Sequence, residues 1–410
     1  MSGMAGAAAH EETIMDLPHV NWNYPTAIKV GPGRISELPE HCAALGMKRP
    51  LIVTDPGIAA LPMVEQAATA CRAAGLGCSV FHEIKGNPTG RNVEAGVAAY
   101  RRGGHDGVVA FGGGSALDAG KAIALMVGQD RPLWDFEDVG DNHMRVKVEG
   151  MAPVVAIPTT AGTGSEVGRV AVIMDEDARL KRLIFHPRVL PAIVILDATL
   201  TTGLPPSVTA ATGMDALSHC LEAYCSPFHH PMAAGIALEG MRLVNHYLPR
   251  AVADAGDLAA RHHMLVASCM GATAFQKGLG AMHALAHPLG ALYDAHHGLL
   301  NAVLMPYVVQ ANAHALQAPL AALARYLALP GASAEGVQAW ILELRERIGI
   351  PHTLADIGLH DGDADLVGRM AQADPSAGTN PVAFDAAQYA AIFRAAIAGR
   401  ADARVAPDPR

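Results

Sequence analysis

The sequence predicts a two-part molecule: an α/β domain built on a mainly parallel sheet, followed by an all-helical domain. Three observations carry this. Between about residue 25 and residue 200, short runs rich in Val and Ile alternate with Ala-rich helical stretches. Those runs are continuously apolar, as in strands covered on both faces. After Leu204-Pro205-Pro206 the apolar spacing turns helical and no further strand pattern follows. The division is therefore a tail over 1–20, an α/β domain over 21–206 and a helical domain over 207–410.

Taken in order, the tail carries His10, Glu11, Glu12 and Asp16 and lacks a basic stretch ahead of an apolar run, so it does not read as a secretion signal. Strands are expected over 51–53, 107–111, 154–157 and 193–196. Helices are expected over 208–224, with Ser207 as N-cap, and over 258–275, 319–329 and 384–398. The segment 361–380, rich in Asp, Gly and Ala, reads as a loop.

At 410 residues and 51% hydrophobic the chain can bury the cores of two domains. Its net charge of −9, with Lys and Arg scattered, offers no footprint for nucleic acid or an anionic membrane. No charge-free stretch reaches the roughly eighteen residues that a bilayer span requires. The six cysteines form no Cys-x-x-Cys pair and are too sparse to staple the chain, which suits reduced thiols in the cytoplasm.

Two loops follow predicted strands where ligands of open α/β sheets collect. The first is Gly112-Gly113-Gly114-Ser115, with Asp118 and Lys121 in the next helical turns. Glycines admit a close ligand, and free N–H groups at a helix start suit a pyrophosphate. The usual dinucleotide fingerprint is absent, so a plain strand-to-helix turn stays the competing reading. The second runs from Pro158-Thr159-Thr160-Ala161 through Gly162-Thr163-Gly164-Ser165-Glu166. Asp55, at the end of an earlier strand, is placed to accept from an adenosine ribose; a turn aspartate before Pro56-Gly57 is the alternative.

In the helical domain Asp215 and His219 are spaced four apart, as are His283 and His287, and His297 follows. That spacing puts two side chains on one helix face, and such pairs can converge on a divalent ion. Twenty histidines in 410 residues give about one such His pair by chance, so the pattern alone is not decisive. Pro288 is expected to disturb the helix and turn His287 away from the ion that His283 binds.

These segments, with Gly213-Met214-Asp215-Ala216-Leu217-Ser218-His219, His283 to Ala291 and His297-Gly298, resemble the iron-containing alcohol dehydrogenases in order and spacing over roughly residues 22–400. The resemblance implies a dehydroquinate-synthase-like fold and a metal-dependent alcohol dehydrogenase or aldehyde reductase. It implies that Asp215, His219, His283 and His297 bind one divalent ion, Fe(II) or alternatively Zn(II), which acts as a Lewis acid on a small alcohol or diol. His287 would lie beside the nicotinamide as a proton relay. Gly113, Gly114 and Ser115 would hold the pyrophosphate, with Asn87, Asp118, Thr159, Thr160, Thr163 and Lys181 lining the cofactor cleft. Asp55 falls at the position whose carboxylate favours NAD and repels the 2′-phosphate of NADP.

Phe275 and Gln276 fall where the family shapes its substrate pocket. His296 stands where many members have proline, adding a competing donor beside His297. The family commonly forms homodimers or larger symmetric assemblies. A maleylacetate-reductase-like enzyme is the nearest alternative, although those generally lack this ligand set. A dehydroquinate-synthase-like lyase would need a basic pocket, and Lys277 is the one lysine near the ligand motifs. A non-catalytic binding protein predicts that the glycine loop and the ligand set should not occur together, yet both are present.

Overall fold

The structure, a computed structural model, describes residues 24, 26–178 and 180–400; the expected tail over 1–20 lies outside them. The first half runs β1 (Ala27–Val30), α1 (Leu38–Ala44), β2 (Pro50–Val53), a short α2 (Pro56–Ala59), α3 (Pro62–Ala73), β3 (Ser79–Phe81), α4 (Gly90–Gly103), β4 (Gly107–Gly112) and α5 (Gly114–Met126). It continues with β5 (Val154–Pro158), β6 (Val170–Asp175), β7 (Leu180–Phe185) and β8 (Ile193–Leu196). Six strands form one parallel sheet in the order β1-β8-β5-β4-β2-β3.

Continuous apolarity in the central strands has the expected cause, since alternate residues fill two cores. Leu51, Val53, Val108, Ala110, Val154, Ala156, Val194 and Leu196 pack on one face of the sheet. Ile52, Val109, Phe111, Val155, Ile157, Ile193 and Ile195 pack on the other. The parallel register sets the carboxyl ends of β2, β4 and β5 side by side, with Val53 opposite Ala110 and Gly112 opposite Pro158. The loops after these strands therefore meet at one edge.

The pattern did not reveal β1, β3, or the antiparallel β6–β7 hairpin, which stands outside the main sheet. β3 has three residues, too few for a periodicity, and the hairpin carries Asp175, Lys181 and Arg182.

The second half holds α6 (Pro206–Cys225), α7 (Pro231–Ala253), α8 (Leu258–Ala274), α9 (Ala281–Tyr293), α10 (His297–Asn312), α11 (Gln317–Tyr326), α12 (Ala334–Arg347), α13 (Ala364–Ala373) and α14 (Ala386–Ala398). They share one large core that includes Met214, Leu217, Met241, Val244, Leu285, Leu304, Ile341 and Phe393.

Three expectations need correction. Helix α6 starts at Pro206 with Pro205 as its cap residue, so Ser207 lies inside the first turn and caps nothing; a proline at N1 needs no N–H partner. The segment 361–380 is largely helical, because α13 buries Ala364, Val367, Gly368 and Ala371 on one face while Asp and Arg occupy the other. Finally, α9 runs through Pro288 to Tyr293 without a break. Among the described residues no cysteine forms a disulfide, and no helix is long and apolar enough to cross a membrane.

Candidate metal centre and cofactor cleft

Helices α6, α9 and α10 bring Asp215, His219, His283 and His297 together: one ligand-capable atom from each lies within 4.8 Å of all the others. The approach of α10 to α6 depends on Gly298, where a Cβ would meet the Ala211 carbonyl oxygen at 2.6 Å and Asp215 Cβ at 3.1 Å. The rings of His219 and His283 stack at 4.8 Å between centroids, and Phe275 closes one side with its ring 5.2 Å from His219.

The chemistry of this set suits a divalent cation. Asp215, His219 and His283 are buried. Burial lowers the His219 pKa to about 4 and drives His297 well below the ordinary imidazole value, so both are neutral donors near pH 7. Nδ1 of His297 is buried without a hydrogen-bond partner, whereas the His219 ring meets the backbone of Gly162. His283 differs: burial lowers its pKa, but the hydrogen bond and charge of Glu222 outweigh this and the net shift is upward. Its Nδ1–H donates to Glu222 Oε2 at 2.7 Å, which leaves Nε2 with a free lone pair toward the cluster. The same carboxylate accepts from the backbone N–H of Gly280 and Met282, fixing the first turn of α9.

Glu222 and Asn301 were not singled out in the sequence, although both follow a ligand on its own helix. Glu222 comes three residues after His219 and Asn301 four after His297. The helical spacing rule would have found them had it been extended from each candidate ligand to the next carboxylate or amide on the same face.

His287 stands next to the four and is not one of them. Its ring lies 5.9 Å from that of His283 and stacks on His297 at 5.5 Å. What diverts it is Asp374, whose Oδ2 accepts from Nδ1 at 2.8 Å, rather than a break at Pro288. Although burial opposes it, the charge and hydrogen bond of His287 hold Asp374 below the usual carboxylate pKa. His296 does not compete for the cation: its Nδ1 accepts from Leu299 N–H and caps α10.

The cofactor candidates gather at the joined strand ends. Gly113 caps α5 without a side-chain hydrogen bond, so the helix starts with free N–H groups. Gly114 allows close approach of the second loop, since a Cβ there would lie 2.6 Å from Thr163 Cγ2. Thr160 lies beside Gly113 at ordinary contact distance, 3.5 Å from its Cβ position, and Thr159 is buried with its hydroxyl unpartnered. Asp55 Oδ1 caps α2 by accepting from Ile58 N–H, so its turn role is realised, and Oδ2 lies 3.5 Å from the Cβ position of Gly112.

Other members of that group have internal partners. The Ser115 hydroxyl donates to the Gly86 carbonyl. Asp118 accepts from Ser165 Oγ and Val172 N–H and pairs with Lys121, tying α5 to the second loop and β6. Two of the candidates cross to the helical half. Asn87 donates to Asp294 Oδ1, and Asp294 occupies the left-handed region (φ 51°) in the turn between α9 and α10. Lys181 Nζ reaches α9, 3.1 Å from the Cβ position of Gly290. Burial lowers the Lys181 pKa, opposed by Asp118, Asp294 and Asp215.

Comparison with known proteins matches residues 25–198 to the iron-containing alcohol dehydrogenase model and residues 209–397 to the Fe-containing alcohol dehydrogenase C-terminal model. A 4-hydroxybutyrate dehydrogenase of Cupriavidus necator is 41% identical over 89% of this chain and 97% of its own length. The crystal structure of a 1,3-propanediol oxidoreductase superposes with TM-score 0.88 at 36% identity, covering 93% of this chain and 100% of that one. Sulfoacetaldehyde reductase from Bifidobacterium kashiwanohense, solved with NAD+, gives 0.83 at 29% identity, covering 92% and 98%.

Proposed function

The chain belongs to the iron-containing alcohol dehydrogenase family and is a metal-dependent alcohol dehydrogenase acting on CH–OH groups; from that premise we propose that it interconverts small primary alcohols or diols and their aldehydes with NAD(H). The observation that carries the proposal is the convergence of one carboxylate and three imidazoles beside His287. In this reading residues 21–206 bind the cofactor and 207–410 supply the cation and substrate site. The protein works in the cytoplasm as a homodimer or larger homo-oligomer, without nucleic acid or membrane partners.

Asp215, His219, His283 and His297 would hold the ion, Fe(II) or alternatively Zn(II). When bound, such an ion would supply Lewis acidity toward the substrate oxygen and the nicotinamide would serve as hydride acceptor. The protein orients and excludes. Gly113, Gly114, Ser115, Thr159, Thr160 and Thr163 shape the phosphate side, Asn87, Asp118 and Lys181 line the cleft, and Asp55 disfavours NADP through its charge. Phe275 walls the reacting side against water. With Nδ1 committed to Asp374, His287 takes and releases a proton at Nε2, passing the hydroxyl proton to solvent. The names of the relatives, which act on 4-hydroxybutyrate and 1,3-propanediol, support a terminal hydroxyl on a short chain as substrate.

The test is NADH formation by metal-loaded protein across a panel of primary alcohols, diols and ω-hydroxy acids. Activity is expected with at least one short member of the panel and silence with all would refute the substrate class. Changing His287→Ala should lower kcat by about 10²–10⁴-fold while metal content stays intact. Equal loss of bound metal would reassign His287.

A further inference from the structure

Asn301 is fully buried on α10, and its amide nitrogen is surrounded by ligand atoms: Asp215 Oδ1 at 2.9 Å, His283 Nε2 at 3.1 Å and His297 Nε2 at 3.3 Å. The two shorter contacts take the two amide protons, because the carboxylate is an acceptor and the His283 proton sits on Nδ1 facing Glu222, and His297 Nε2 is the longest of the three. Asn301 Oδ1 meanwhile is buried with no partner. A leucine of the same shape would leave no orphaned carbonyl, so packing alone does not account for an amide here. The NH2 group is the part with contacts, and three of the four candidate ligands share it.

We propose that Asn301 is a positioning residue of the metal centre. In the metal-free chain its NH2 provides the positive partner that otherwise repelling lone pairs lack, so the donors stay close together before a cation arrives. When the cation takes the imidazole lone pairs, the hydrogen bond to Asp215 Oδ1 remains and keeps that carboxylate aimed. The inference rests on the metal-site reading of Asp215, His219, His283 and His297, which the four-residue cluster supports and which makes no use of Asn301.

The test uses full-length protein stripped of metal and titrated with Co(II), followed by chelator competition and by the visible ligand-field spectrum. Wild type should bind one Co(II) per chain; failure to do so would overturn the metal-site reading and this inference together. Asn301→Leu should keep its secondary structure, bind Co(II) about 10–100-fold more weakly and, once saturated, show the wild-type band pattern. Unchanged or tighter binding by Asn301→Leu, with wild type binding normally, would overturn the positioning role alone. A spectrum showing a lost ligand would overturn it too, making Asn301 a direct donor. Should Asn301→Leu not fold, Asn301→Ser, which cannot reach the three atoms, gives the same readings without added bulk.

Discussion

Glu222 accepts three hydrogen bonds, from Gly280 N–H, Met282 N–H and His283 Nδ1–H, while buried in the helical core. A glutamine in its place turns an NH2 toward donors, so Glu222→Gln should weaken metal binding about 10–100-fold in chelator competition. Glu166 supplies a pH signature elsewhere. Burial raises its pKa from 4.5 to about 7, against the opposing hydrogen bond of its own backbone N–H and the charge of Lys121. The folded state then keeps a proton that the unfolded chain releases, so stability falls as pH rises through that window, by on the order of 3 kcal/mol. Denaturation of Glu166→Gln from pH 4.5 to pH 7 should lack this component; a profile parallel to wild type would refute it. At this scale the sequence was legible where spacing brought ionisable side chains together, as for Asp215 and His219. It was illegible where one residue serves another from a distance in the chain, as Asp374 serves His287 across 87 positions.

The meeting of α6 and α10 at Gly298 is the contact on which the donor cluster depends among helices. Gly298→Ala drives a methyl against the Ala211 carbonyl, so α10 must shift. A loss of about 1–3 kcal/mol in urea denaturation is expected, together with weaker metal binding. Wild-type affinity in a destabilised variant would show that the ligand geometry survives the shift. Elements were readable from sequence where burial is lopsided or complete, as in β4, β5 and α6. Helix α9 was legible at His283 and His287 but not in its run past Pro288, and α13 was missed because its Asp and Gly content suggests a loop.

Across the whole molecule, the described strands all precede residue 206, and the described elements after it are all helices. The donors come from three helices, so an ion bound there would bridge α6, α9 and α10 and stabilise only the folded arrangement. Metal at a hundredfold excess over its dissociation constant should add about 2.7 kcal/mol, raising Tm by about 3 °C for a chain of this length, and a chelator should reverse the rise. An unchanged Tm would mean the donors hold no ion in solution. What the chain pattern could not disclose is how the halves touch, because Asn87 and Asp294 are 207 positions apart and neither belongs to a periodic stretch. That touch has a further consequence. The left-handed backbone at Asp294 separates the helix carrying His283 from the helix carrying His297, and it is also where Asn87 of the first half makes its hydrogen bond. A single bend therefore joins two of the donor helices and also receives a side chain from the first half of the chain, so a change at Asp294 is felt on both sides of it.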